Sequence, residues 1–213
     1  AHLLNNMKTD IDLSCVKYTN FENDITFFKT QPTVHSISGA QAVEGLLLGK
    51  LLAGPVCKLY KKSLLDNLRF EKYSVAEDLY LNYHYLKQCN TVSLSDEKLY
   101  GYRRNSSSLT RASFKLSRMD GIKALRNIAR NENYSSTSIV RLFMEAYFII
   151  ESLDQHKQLK EYPEQVSECR SIMKRYRKHV LFARETPKKQ RFIALLSFLN
   201  PIVPAKIINF LAK

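Results

Sequence analysis

Glu77 and Asp78 stand side by side in the run YSVAEDLYLNYHYL, residues 73–86. Adjacent carboxylates at the head of a helical run can serve two ends. One is structural. Ser74, three residues ahead of Glu77, completes the S-x-x-E pattern of a capping box, in which the Ser hydroxyl takes a free backbone N–H and the Glu carboxylate reaches back to the Ser N–H. Asp78 then falls in the first turn, where the helix dipole favours negative charge. The other end is chemical: a carboxylate held on a rigid helix start can take a proton from a hydroxyl brought against it. Leu79, Tyr83 and Leu86 recur at helical spacing and predict a buried face for the same run.

A second group of chemically capable residues ends the run LYGYRR. Tyr102, Arg103 and Arg104 close an apolar stretch, and the polar run NSSSLTR follows with Ser106, Ser107 and Ser108. Guanidinium groups offer a planar fork of donors matched to phosphate oxygens, and hydroxyls add neutral donors. With no G-x-G-x-x-G or Walker loop in the chain, the residues read either as a clamp on a phosphate bound mainly elsewhere or as a solvated strand end. The serines have no G-x-S-x-G context and read as a polar turn. Asp10-Ile11-Asp12 has the D-x-D form that can hold a divalent cation, but it precedes an apolar run and reads as the acidic start of a strand. The histidines, His2, His35, His84, His156 and His179, show no H-x-x-x-H pairing, and no metal site is expected from them.

These groups need elements to position them. IDLSCVKYTNF alternates and is rich in β-formers, which predicts a strand. ITFFKTQPTVHSIS reads as a loop or short hairpin, SGAQAVEGLLLGKLLA as a helix weakened by Gly45 and Gly49, and GPVCKLYKKSLLDNLRF as a turn, a short helix and an extended exit. NTVSLSDEKLYGYRR predicts two short strands around a turn at Ser95-Asp96. After Arg111 the pattern changes to three helical runs, ASFKLSRMDGIKALRNIAR, SSTSIVRLFMEAYFIIESLDQHK and YPEQVSECRSIMKRYRKHV. The class is α/β, with residues 1–111 as the mixed part, 112–186 as an all-helical extension and 187–213 as a basic amphipathic tail.

The 213 residues, 45% of them hydrophobic, suffice for a full-sized core. Cys15, Cys57, Cys89 and Cys169 are far apart, with no C-x-x-C, which argues against a zinc site or a disulfide framework and for a reducing compartment. AHLLNNMKTD lacks a signal-peptide layout and reads as the tail of a helix begun earlier, so a longer natural chain is expected. The net charge is +13, and from Arg170 onward eleven Lys/Arg face a single acidic residue, Glu185. Such a tail implies an anionic partner. Its other side is apolar and the tyrosines sit in packed-looking elements, which favours a membrane surface over nucleic acid. Phe192 to Ala205 carries no charge but is short of the ~20 apolar residues of a spanning helix and is broken by Pro201 and Pro204. The tail is therefore expected to lie on a membrane, Lys188, Lys189 and Arg191 at the headgroups and Phe192, Leu195, Leu196 and Leu199 in the acyl boundary.

PVCKLYKKSLLDNLRF, AEDLYLNYHYL and KLYGYRRNSSSLTR, in that order, resemble the second half of family-two glycosyltransferases, the GT-A enzymes that build bacterial capsular and surface polysaccharides. The similarity covers about Leu3 to Arg111, half of the chain. Cys57 departs from the polar or aromatic residue common before the Lys, and the opening half of the family domain, with its nucleotide loop and acidic metal cluster, has no counterpart here. The resemblance implies that Asp78 is the general base on an acceptor hydroxyl, with Glu77 its neighbour. It implies that Tyr102, Arg103, Arg104 and Ser108 close on the diphosphate of a nucleotide-sugar donor. A divalent cation, Mg or Mn, is implied with ligands mostly outside this sequence, so residues 1–213 alone are expected to be inactive. The implied acceptor is a saccharide or lipid-linked saccharide at the cytoplasmic face of the membrane. The rival expectations are a non-catalytic partner subunit and a basic nucleic-acid-binding module.

Overall fold

The computed structural model describes residues 2–21, 33–103 and 113–211. The chain divides into two compact units, one of Ala1–Glu71 and Leu81–Ala112, the other of Lys72–Tyr80 and Ser113–Lys213. The fold is mixed α/β, as the sequence predicts.

The first unit is built on a four-stranded sheet. After a short helix α1 (His2–Asn5) come β1 (Leu13–Phe21), β2 (Val34–Ser38), helix α2 (Gly39–Leu47), β3 (Lys58–Tyr60), helix α3 (Glu77–Leu86, in this unit from Leu81) and β4 (Thr91–Arg103). The strand order is β2-β4-β1-β3. β1 and β4 run parallel at the centre, Leu13 opposite Val92, while β2 and β3 pair antiparallel on either side. The first halves of the central strands are buried, Leu13 and Val92 fully so, as strands covered on both faces must be. α2 is held at its start by a capping box in which Ser38 and Gln41 exchange hydrogen bonds, and it buries Ala42, Val43, Leu46 and Leu47. Gly39 opens it at a close approach: a Cβ there would lie 2.0 Å from the Cys89 carbonyl oxygen, so only glycine fits.

Two local expectations are corrected here. Where the sequence predicts two strands in NTVSLSDEKLYGYRR, Thr91–Arg103 forms one. Ser95 and Asp96 lie where the β1–β4 register slips, Cys15 facing Leu94 and Lys17 facing Lys98, so the polar pair forms a bulge that bends the strand without reversing it. The segment before it also contributes a strand: Lys58–Tyr60 pairs with Leu13–Cys15. Three residues are too few for a period-2 pattern, and the short helix and extended exit expected there absorb them.

The second unit is helical. α4 (Asp120–Asn131), α5 (Ser136–Gln155) and α6 (Pro163–Phe182) match the three predicted runs, and α7 (Lys188–Leu196) and α8 (Val203–Leu211) follow. α5 is the hub. It packs on α4, α6 and α8, and Val140, Phe143, Ala146, Ile150 and Leu153 are fully buried. Ser135 caps its start and Pro163 occupies the first turn of α6, where its missing N–H costs nothing. All four cysteines are free and buried.

Candidate functional site

Glu77 and Asp78 lie half-buried in the first turn of α3, and the segment that leads to them is fastened to α4 within the helical unit. The Tyr73 hydroxyl accepts a hydrogen bond from Asn127 Nδ2 at 2.9 Å, and its ring meets the Tyr80 ring edge-on at 5.4 Å. The Ser74 N–H donates to Asp120 Oδ2 at 3.0 Å. Asp120 is held below the usual carboxylate range, first by the hydrogen bond from Lys123 and then by the one from Ser74. Ala76, at φ 65°, turns the chain into the helix, and Leu79 behind the carboxylates is buried. The Leu79 N–H donates to Asp78 Oδ1 at 2.6 Å.

The capping box predicted from Ser74 and Glu77 is not what starts this helix. A capping Ser74 would put the first helical residue at Val75, but the helix begins at Glu77, and the Ser74 N–H that Glu77 would receive is bonded to Asp120. The pair is therefore positioned by a tertiary tie to α4, which no local pattern signals.

Within the sheet unit, the rest of α3 is locked to the K-L-Y segment. The Tyr60 hydroxyl donates to Asn82 Oδ1 at 2.7 Å, and the fully buried Asn82 donates to the Ala53 carbonyl at 2.7 Å. Lys58 Nζ donates to the Leu52, Gly54 and Val56 carbonyls and so closes the loop that leads into β3. Cys57, at φ 65°, occupies the left-handed region just before it. Burial pushes the Cys57 thiol up, against the pull of the Lys58 ammonium, and pushes Cys15 up to about 12. Neither is a nucleophile near neutral pH.

Asp12 is a structural anchor. It is 4% exposed, and its carboxylate receives Lys61 Nζ at 3.0 Å, the Asn90 N–H at 2.7 Å and the Thr91 N–H at 3.4 Å. Burial alone would raise its pKa, but those three donors outweigh it and hold the group below its ordinary value. Its carbonyl accepts from the Tyr85 hydroxyl at 2.6 Å. Among the described residues no cluster of His, Cys, Asp or Glu could hold a metal ion.

Tyr102 and Arg103 lie at the exposed end of the β1–β4 ribbon, past the bulge, opposite Asn20 and Phe21. The Tyr102 ring stands 5.7 Å from Tyr18, and the Arg103 guanidinium sits over Phe21, 5.5 Å from the ring centroid. Both side chains are exposed, so their donors face solvent where an anion can reach them. Arg104 and Ser108 lie outside the described residues. Glu77 and Asp78 belong to one compact unit and Tyr102 and Arg103 to the other.

One feature of the sheet unit carried no signal in the sequence. A cleft of about 350 Å³ opens beside the bulge, lined by Lys17, Tyr18, His35, Lys50, Cys57 and Asp96 among others. Val16, Leu51, Leu52 and Leu94 make its wall largely apolar, and it sits beside the parallel strand pair. The lining residues are scattered from position 15 to position 96, so only the pairing of β1, β2 and β4 and the packing of the segment between α2 and β3 gather them.

No protein-family model matches the chain, and no curated protein matches it.

Proposed function

We propose that the chain carries the base side of an inverting glycosyltransferase of GT-A architecture. As part of a longer chain, it would transfer a sugar from a nucleotide-sugar donor to a saccharide or lipid-linked saccharide acceptor in surface polysaccharide synthesis. The supporting observation is Asp78 itself: it stands with Glu77 in the first turn of a helix whose approach is pinned by Tyr73 and Ser74 to α4. A base needs that rigidity, because proximity catalysis fails when the accepting oxygen wanders by an ångström.

In this reading Asp78 takes the proton of an acceptor hydroxyl as that oxygen attacks the anomeric carbon. The bond from that carbon to the donor diphosphate breaks on the opposite face, and the sugar inverts. The electron pair leaves with the diphosphate, and it is the family resemblance that assigns that charge to Arg103 and Arg104, with Tyr102 and Ser108 as neutral donors. The described residues do not fit a divalent cation: none of their His, Cys, Asp and Glu cluster for one, and Asp12, the buried carboxylate of the D-x-D pattern, is occupied by Lys61, Asn90 and Thr91. No step is drawn through a metal. The reaction is placed at the cytoplasmic face of the membrane, with the chain attached peripherally. No described helix is long and apolar enough to cross a bilayer.

The test is Asp78→Asn in the intact protein, with uridine- and guanosine-diphosphate sugars as donors. Transfer is expected to fall by ~10²–10⁴-fold or more while donor binding persists. Glu77→Gln is expected to cost less, part of it through stability. Turnover near the parent's in Asp78→Asn removes the residue from the mechanism, and intact folding with no binding of any nucleotide sugar favours a non-catalytic subunit.

A further inference from the structure

Helix α7 is apolar on two opposite sides. At 3.6 residues per turn, Ile193, Ala194 and Ser197 share one side, and all three are fully buried against the helical unit. Phe192 and Leu195 occupy the other, at 52% and 53% exposed, and the turn that follows adds Leu199 at 77%. Phe182, at the end of α6, is 78% exposed as well. A helix that packs on a core by one face is ordinarily charged or polar on the other, so this second apolar face calls for an occupant.

The ridge is held in place. Arg191 donates to the Ala183 and Arg184 carbonyls from Nη2 and to the Thr186 carbonyl from Nε, which fixes the turn between α6 and α7. Arg177 donates to the Ser197 carbonyl at 3.0 Å and lies over the Phe198 ring, 4.3 Å from its centroid. Arg191 is thereby committed to the fold and is not a headgroup contact, and Leu196 is half-buried, so both depart from the sequence expectation. Lys188 and Lys189 are exposed in the first turn of α7, Lys188 one turn ahead of Phe192 on the same side and Lys189 beside it, and Arg184 is exposed just before them.

We propose that Phe192, Leu195 and Leu199 form a pre-built ridge that docks the protein on an anionic phospholipid surface, with Lys188 and Lys189 at the headgroups. Charge selects this occupant: from Arg170 to the end of the chain the cations outnumber the acids eleven to one, and Glu185 is the only carboxylate nearby in sequence. Length excludes crossing, since nine residues of helix reach about 14 Å against a hydrocarbon core of about 30 Å. Shallow insertion of an apolar ridge beneath flanking lysines is the geometry of an interfacial helix. Because the ridge is rigid before it binds, little ordering opposes docking. The inference deepens the peripheral location proposed above and rests on that part of the reading, not on sugar transfer.

The experiment is co-sedimentation of the 213-residue chain with vesicles of phosphatidylcholine alone and of phosphatidylcholine mixed with phosphatidylglycerol. No sugar is present, so a failure of the transferase reading leaves the result unaffected. The parent is expected to bind the mixed vesicles, and to bind them less as salt is raised. Phe192→Ser with Leu195→Ser should lower the partition coefficient on the order of tenfold or more, and Lys188→Glu with Lys189→Glu should lower it by a similar amount. All four side chains are exposed, so unchanged circular dichroism and melting are expected of both variants. The proposal is overturned if the parent ignores phosphatidylglycerol, or if the serine variant binds as tightly as the parent, which would make the basic surface alone responsible. It is equally overturned if the parent forms a dimer that the serine variant abolishes and no vesicle binding is seen, which would assign the ridge to a second copy of the chain.

Discussion

Removing the Asp12 carboxylate should loosen the sheet unit well away from any reacting group. In Asp12→Ala the Asn90 N–H loses its 2.7 Å acceptor and the Thr91 N–H its weaker one at 3.4 Å. A buried donor left without a partner costs ~1–3 kcal/mol, and these two, on the exposed Asn90 and the half-buried Thr91, regain some water and fall toward the low end. The Lys61 ion pair adds less, because the Lys61 side chain is 43% exposed and regains water; exposed pairs contribute at most about 1 kcal/mol. Together the loss is about 1–3 kcal/mol. Asp12→Asn keeps one acceptor but turns an NH₂ toward either Lys61 or the backbone donors, so roughly half that loss is expected. The chain has no tryptophan, so urea unfolding is best followed by far-UV circular dichroism, with amide exchange at Asn90 and Thr91 as the local readout. The folded-state pKa of Asp12 lies below its unfolded value of about 3.9. Its contribution is therefore fully present above that value and is lost as pH falls through the folded pKa. The gap between parent and Asp12→Ala should accordingly narrow on acidification below about pH 4. An alanine variant within ~0.5 kcal/mol of the parent at neutral pH would refute the anchor.

The glycines of α2 make a paired test. Gly39→Ala should destabilise by ~1–3 kcal/mol in urea unfolding, because its Cβ would press on the Leu86 and Cys89 carbonyls, whereas Gly45→Ala, whose Cβ meets only Leu51 at an ordinary 3.8 Å, should stabilise by ~0.5–1 kcal/mol. Arg103→Ala and Arg104→Ala should each weaken nucleoside-diphosphate binding to the intact protein by calorimetry; unchanged affinity in both returns the pair to a solvated strand end.

Much of the secondary structure was legible because its signals are local. β1 and the helices α4 to α6 follow from alternation and from the 3.6-residue period, each contained in one short window. The S-x-x-Q box at Ser38 and Gln41 was also available to reading, since its partners are three residues apart. The Ser74–Glu77 box had the same form and failed, because Asp120, 46 residues away, takes the Ser74 N–H. Ser95-Asp96 misled for a related reason. Turn and bulge both favour small polar residues, and the pairing partner Cys15-Lys17, not the local sequence, decides between them.

The candidate site was legible only as residue types. Glu77, Asp78, Tyr102 and Arg103 announce themselves by adjacency and by what carboxylates and guanidiniums can do. What holds them is written in separations that no window spans: Tyr73 to Asn127 is 54 residues, and Tyr85 to Asp12 is 73. The same applies to Asp12, whose D-x-D setting is silent about Asn90 and Lys61. For α7 the sequence by itself determined that the helix is apolar and basic. Only the packing on α6 decided that Ile193 and Ala194 face the protein and Phe192 and Leu195 face outward. Periodicity records how much apolar surface a helix has, whereas burial depends on which side a neighbour distant in sequence happens to cover.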